Sequence, residues 1–244
     1  MPRDWNASSY ERVSSPLEAM GRDVLDRLEL RGDERVLDAG CGTGRVTAAL
    51  VERLPRGEVI AVDASPAMVE ATVARLGDRV DARVADLREL TLERPVDAIL
   101  STATLHWVLD HDRVFGRLRD ALVPGGRLVV QCGGEGNIAG VRRAIDAAAE
   151  PALAGWPGPW NFASPRATAE CLRRLGFIDV WTWPQRVDVR PEDPLEYLAT
   201  VVLGSHLERI PRERHEAFTR AVLDAMDEPV VDYVRLNVLA RRAG

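Results

Sequence analysis

One stretch, Val36-Leu-Asp-Ala-Gly-Cys-Gly-Thr-Gly44, constrains the fold of this chain more than any other. An apolar strand runs into a tight glycine turn and on into an amphipathic helix over 45–54. Glycines at 40, 42 and 44 let the backbone turn sharply and admit a ligand where a Cβ would collide. The helix that follows offers unpaired N–H groups to a polar ligand, so a nucleotide-like cofactor is the expected occupant.

The rest of the chain repeats the strand-to-helix pattern. Pro16 to Leu30 carries Leu17, Met20, Val24, Leu25 and Leu28 at helical spacing, with Ser14 and Ser15 as candidate caps. Strands are expected at 35–39, 58–62, 80–85, 96–101 and 126–132, with helices at 45–54, 66–76 and 110–122, an alternation that implies a parallel sheet covered on both faces. Ser65-Pro66 opens one helix, and Pro124-Gly125-Gly126 closes another. A helix over 137–149 leads to a Pro-, Gly- and Trp-rich loop at 151–165 holding Trp156, Trp160 and Phe162. Then come a helix at 166–175, a long strand at 177–189 with a bend expected at Pro184, and helices at about 194–207 and 211–226. The last strand, 230–240, alternates Val231, Tyr233, Arg235 and Asn237 and should close the sheet as an antiparallel pair. The expected fold is α/β: a Rossmann-like, doubly wound, mostly parallel seven-stranded sheet with an antiparallel closing pair and a helical insertion before the last strand. A single domain is expected over 1–244, with residues 1–15 an arm or lid, 16–190 and 229–244 the core, and 191–228 the insertion.

Composition narrows the partners. No apolar run approaches the roughly 20 residues of a membrane span, and Met1-Pro-Arg-Asp-Trp-Asn6 lacks a signal-peptide pattern, so a cytoplasmic protein is expected. Cys41, Cys132 and Cys171 form no C-x-x-C pair, so neither a metal nor a disulfide is expected. A net charge of −6 without a basic run argues against nucleic acid and for a small-molecule acceptor bound by a monomer or homodimer. All 32 basic residues are arginine, which removes every lysine mechanism.

The glycine spacing is G-x-G-x-G, with Arg45 where a dinucleotide fingerprint needs its third glycine. Asp38 would repel a pyrophosphate but suits a ligand carrying an ammonium. Here the chain resembles the class I S-adenosylmethionine-dependent methyltransferases, whose first motif is an acid followed by G-x-G-x-G. Asp63, about twenty residues on, suits a ribose, and would serve NAD equally well. The resemblance implies that Asp86 meets the adenine amino group with Leu87 beside the ring, and that Tyr10, Asp38, Gly40, Cys41, Gly42, Gly44, Ala64, Met68, Ser101 and Thr102 also contact S-adenosyl-L-methionine. His106 and Trp107, at the end of the fourth strand, are the candidate catalytic pair, because an aromatic face attracts a sulfonium.

The segment Leu105-His-Trp-Val-Leu-Asp-His111, with the Trp5 to Tyr10 arm, looks like the small-acid O-methyltransferases of the trans-aconitate type, which carry Gln where His106 stands. An anionic acceptor then needs arginine or a protonated histidine, arginine being favoured for its bidentate fit, and Arg142 and Arg143 are the candidates, with Trp5 and Trp160 as further acceptor contacts. Methylation of a malonyl-thioester carboxyl is a related possibility. Methylation of a hydroxyl, amine or carbon, an NAD-dependent oxidoreductase, and a non-catalytic binding module remain the alternatives.

Overall fold

The computed structural model describes residues 5–244, so residues 1–4 of the expected arm lie outside the described residues. Among the described residues, seven strands form one sheet in the order β3-β2-β1-β4-β5-β7-β6. They are β1 Arg35–Ala39, β2 Glu58–Asp63, β3 Asp81–Val84, β4 Val96–Thr102, β5 Leu122–Gly133, β6 Phe177–Val189 and β7 Val231–Arg242. β1 to β5 pair in parallel, while β7 lies antiparallel between β5 and β6. This is the Rossmann-like sheet with the antiparallel closing pair that the alternation implied.

The helices are α1 Ala7–Val13, α2 Ser15–Leu25, α3 Arg45–Glu52, α4 Pro66–Leu76, α5 His111–Ala121, α6 Ala139–Ala147 and α7 Pro165–Arg174. Local chemistry sets their starts. Ser65 accepts from the Met68 N–H ahead of Pro66, and Asp110 from the Arg113 N–H, each satisfying a helix-terminal donor. Ser14 is the N-cap of α2, but its hydroxyl makes no capping bond. Successive residues of the strands serve opposite faces. Leu37, Ala39, Ile60 and Val62 join a core under α5 and α7, and Val36 and Val59 join the one under α2 and α3.

Three details differ from the sequence reading. The arm is helical over α1, held by Asn6, whose side chain accepts from the Ser9 N–H. Pro124-Gly125-Gly126 is part of β5, in a bulge where the β4 pairing jumps from Val96–Leu122 to Ala98–Arg127. β6 keeps its pairing through Pro184 and is irregular instead between Ile178 and Trp181, where Asp179 has φ +51°. As an edge strand it tolerates the missing N–H of proline.

The insertion holds α8 Pro194–Tyr197, a π-helical turn over Leu198–Val202, α9 Gly204–Leu207 and α10 His215–Asp224. Tyr197, Val201, Val202, Phe218 and Val222 pack with Val141 and Ala144 of α6 and with Val231 and Tyr233 of β7 into a further core. That core, with Leu17 and Met20 of α2 at its border, roofs the carboxyl ends of the strands. No helix among the described residues is long and apolar enough to cross a membrane.

Candidate functional site

A cavity of about 600 Å³ opens at the carboxyl edge of the sheet, where open α/β folds bind ligands. One end is built by the glycine turn after β1. Gly42 has φ +55° and a Cβ there would meet no atom within 4 Å, so this glycine faces open space, whereas a Cβ on Gly40 would strike the Thr104 side chain and one on Gly44 would strike Thr72. The turn is locked from below by Asp63 at the tip of β2, whose two oxygens accept from the Gly42 N–H at 3.0 Å and the Ser65 N–H at 2.9 Å. An ionised carboxylate offers acceptor oxygens only, the chemistry that suits a diol. Ala64, Met68, Asp86 and Leu87 line the same end, and the Arg88 guanidinium beside Asp86 holds its carboxyl below the usual range.

A nucleoside with an ammonium-bearing tail fits these groups: an open glycine cradle, an oriented carboxylate for two hydroxyls, and a buried acid behind the turn. That acid is Asp38. It is 1% exposed and not on the cavity wall; its Oδ2 accepts from the Thr47 hydroxyl at 2.7 Å, and its Oδ1 has no donor. Burial pushes its carboxyl up to about 7, opposed by the Thr47 bond and reinforced by Asp63. Cys41, Gly44 and Ser101 also stay behind the wall, the Ser101 hydroxyl donating to the Ala39 carbonyl at 2.7 Å. All three cysteines are buried and free.

The arm reaches this end. The Trp5 N–H donates to Ser65 Oγ at 3.2 Å, and Trp5 and Tyr10 line the cavity. Glu11 fastens α1 to the glycine turn, accepting from the Thr43 hydroxyl at 2.8 Å and from Arg45 and Arg75. Replacing Asp63 with alanine is expected to weaken S-adenosylhomocysteine binding by about 10- to 100-fold, the loss of a hydrogen bond to a charged acceptor. Calorimetric titration of the variant, with Asp63→Asn as a control for the turn, checks this.

The other end of the cavity is gathered around one rung of the sheet, where Gly133 of β5 faces Arg235 of β7. The Gly133 N–H donates to His106 Nδ1 at 3.2 Å. Since a backbone N–H can only donate, Nδ1 is unprotonated and the neutral ring carries its proton on Nε2. Burial, then the charges of Arg235 and His111, hold the His106 pKa well below 6.5, so the ring stays neutral. Asn137 has its Oδ1 fixed by the Val234 N–H at 2.9 Å, which leaves its amide N–H groups for the cavity it lines. Arg235 is 2% exposed, forms no ion pair with a described residue, and has an unpartnered Nε. Ala103 and Ile138, at φ +53° and +49°, also line the cavity, the kind of strain that clusters at functional sites.

Aromatic rings complete the wall. Trp107 packs against Trp5 at 5.3 Å and Trp160 at 5.9 Å, and Trp160 stacks on Phe162 at 5.4 Å. Thr102, His106, Trp107 and Trp160 are thus brought together as the sequence implied. Arg142 and Arg143 are not. α6 buries Val141 and Ala144, which turns both arginines to solvent, and Arg142 borders a separate cavity. Arg235, Asn137, Trp156, Val201, Val202 and Arg209 complete the cavity without having been singled out, though a charge on the alternating pattern of the last strand was the available signal for Arg235.

His206, 3% exposed, lies between Trp156 and Trp160, and burial together with Arg209 lowers its pKa to about 4. A histidine that resists protonation only when folded contributes stability in full above about pH 6.5 and loses it as pH falls toward 4. Stability of the parent relative to His206→Gln is therefore expected to drop by about 2–3 kcal/mol between pH 7 and pH 4.5, measured by urea unfolding. The comparison with the variant matters because Asp38, with its raised pKa, acts in the opposite sense.

Among the described residues no cluster of three metal-ligating side chains occurs. Residues 36–126 match the family described as a methyltransferase domain. A trans-aconitate 2-methyltransferase of Methylobacterium radiotolerans is 35% identical over 190 residues, 73% of this chain and 71% of that protein. A protein of the same name from an Azoarcus species is 29% identical and covers 95% of this chain and 94% of its own. Among solved structures, Haemonchus contortus phosphoethanolamine N-methyltransferase 2, in complex with phosphomonomethylethanolamine and S-adenosylhomocysteine, has a TM-score of 0.64 at 17% identity, covering 98% of this chain and 57% of that one, a likeness of fold alone. With the G-x-G-x-G turn facing open space and an oriented acid at the tip of β2, these matches mean that the chain belongs to the class I S-adenosylmethionine-dependent methyltransferases.

Proposed function

We infer that this enzyme methylates the carboxylate of a small acid. The observation that carries the reading is the group at the Gly133–Arg235 rung: a buried arginine without an acid, an asparagine amide and a histidine Nε2–H, all donors. Donors alone, with one net positive charge, suit an anion. The relatives named trans-aconitate 2-methyltransferase support a carboxylate as that anion.

Among the described residues the wall also lacks a ready base. His106 has its acceptor nitrogen occupied by Gly133, Asp63 is held by two backbone N–H groups, Asp86 is paired with Arg88, and burial raises the Tyr10 and Tyr233 phenols. Glu208 is exposed at the rim. A carboxylate needs none of these, being ionised already. S-adenosylmethionine supplies an electrophilic methyl on a sulfonium, whose C–S electron pair returns to sulfur as the carboxylate oxygen forms the O–C bond, with no proton to move. The chain's part is to hold the acid at Arg235, shield the site with the arm and the indoles, and fix the two reactants in line, which can supply about 7–11 kcal/mol of barrier reduction.

The test is methyl transfer from labelled S-adenosylmethionine to a panel of small acids, alcohols and amines, with mass-spectrometric identification of products. Methyl esters are expected. With an acid as acceptor and S-adenosylmethionine saturating, so that Asp38, its carboxyl pushed up to about 7, is already engaged by the cofactor, kcat should be flat from about pH 6 to 9, because carboxylates are ionised above about pH 5 and His106 stays neutral. A rate rising with pH, on a hydroxyl or amine acceptor, would mean a base is at work and the reading is wrong.

A further inference from the structure

The donor group sits at one end of a row of rings. From His106 the rings run to Trp107, Trp160, His206 and Trp156, with successive centroids 5.1, 5.9, 5.1 and 5.0 Å apart, and of these His206 lies behind the wall. Ile138, Val201 and Val202 line the same cavity. Trp156 and Trp160, with His206, wall a second cavity of about 420 Å³ that the exposed Arg142 also lines, so the row borders further open space.

Cations are scarce along this row. Arg88 is exposed and doubly hydrogen-bonded to Asp86. Arg209 is exposed and lies on the face of Trp156, its guanidinium carbon 4.2 Å from the ring centroid. Among the described lining residues, Arg235 is the one buried cation, and it has no acid partner. It can neutralise one carboxylate. A second or third carboxylate on the same acceptor would lie along indole and valine, where the remaining cation that lines the row, Arg209, is solvent-exposed and therefore screened, and desolvating a charge without a close ionic partner is costly. A flat or extended apolar body gains there by burial and ring contact.

We propose that the preferred acceptor is a monocarboxylic acid with an apolar body of about the size of an indole or a medium alkyl chain, its carboxylate at Arg235 and its body along Trp107, Trp160 and Trp156. The assignment rests on the carboxylate reading above and departs from the tricarboxylate that the relatives' name indicates. Trp160, at the middle of the row, sets specificity for the body.

The experiment is calorimetric titration of the full chain, with S-adenosylhomocysteine present, using indole-3-acetate, phenylacetate, decanoate, acetate and trans-aconitate, with methyl transfer to each measured in parallel. The acids with apolar bodies should bind at least tenfold more tightly than acetate and trans-aconitate and yield monomethyl esters. Trp160→Ala should weaken them tenfold or more and leave acetate unchanged. Trp156→Leu should do the same to the longest acids and keeps the test open if Trp160→Ala does not fold. If trans-aconitate is bound and methylated tenfold better than every monocarboxylate, the proposal is overturned while carboxylate methylation stands. If both tryptophan variants weaken acetate as much as the larger acids, the specificity role is overturned. Methylation of an amine or alcohol with no acid bound overturns the proposed function and this inference together.

Discussion

Replacing Arg235 with methionine is expected to weaken acceptor binding by at least about 30-fold and at the same time to raise the melting temperature of the ligand-free protein. The two effects have one cause. Arg235 is buried without an acid partner, so the ligand-free fold carries the cost of a desolvated charge. An apolar side chain of similar length relieves it, by about 1–4 kcal/mol if buried ionic groups elsewhere are a guide. Removing the same charge leaves an acceptor carboxylate without an ionic partner beside Tyr233 and Asn137, which costs about 2–5 kcal/mol and should raise KM for an acid by roughly 30- to 5000-fold. Affinity for S-adenosylhomocysteine should not change, since the glycine turn and Asp63 sit at the other end of the cavity. Thermal unfolding, calorimetry and steady-state kinetics on one preparation read all three. A melting temperature that falls, with KM unaltered, would make Arg235 a structural residue.

Gly42→Val should remove cofactor binding, by at least about 100-fold, and spare the sheet. Two costs are involved and a second variant separates them. At φ +55° any side chain adds about 1–2 kcal/mol of backbone strain. Gly125, in the β5 bulge at φ +76°, would carry a similar strain, and its Cβ likewise meets nothing within 4 Å, but it lies off the cavity wall. Gly125→Val is therefore expected to lose a comparable amount of stability and bind S-adenosylhomocysteine like the parent. Gly42→Val places two methyl groups where the cofactor must lie. Equal binding by the two variants would remove the glycine turn from the site.

What the sequence alone determined was everything encoded over short range. The strand-to-helix rhythm, the glycine turn, the helix start at Ser65-Pro66, and Asp63 about twenty residues after the turn are local patterns, because secondary structure and turn chemistry depend on neighbours within a few residues. They were sufficient for the sheet and for the turn and acid, Gly42 and Asp63, at one end of the cavity, while the cofactor class and the places of Asp86 and Leu87 came from the resemblance to the methyltransferases. The acceptor end was decided by tertiary structure. Arg142 and Arg143 looked suitable from their place after β5, but the face of α6 that carries Val141 and Ala144 is the one buried, and both arginines turn outward. Arg235 stood out in the sequence only as a charge on the alternating pattern of the last strand. It acquires its meaning only because β7 inserts antiparallel between β5 and β6, which sets residue 235 opposite Gly133 and brings His106 and Asn137 to the same rung. Pairing between segments a hundred residues apart is fixed by the packing of the whole sheet, and no local period in the sequence records which residue will face which.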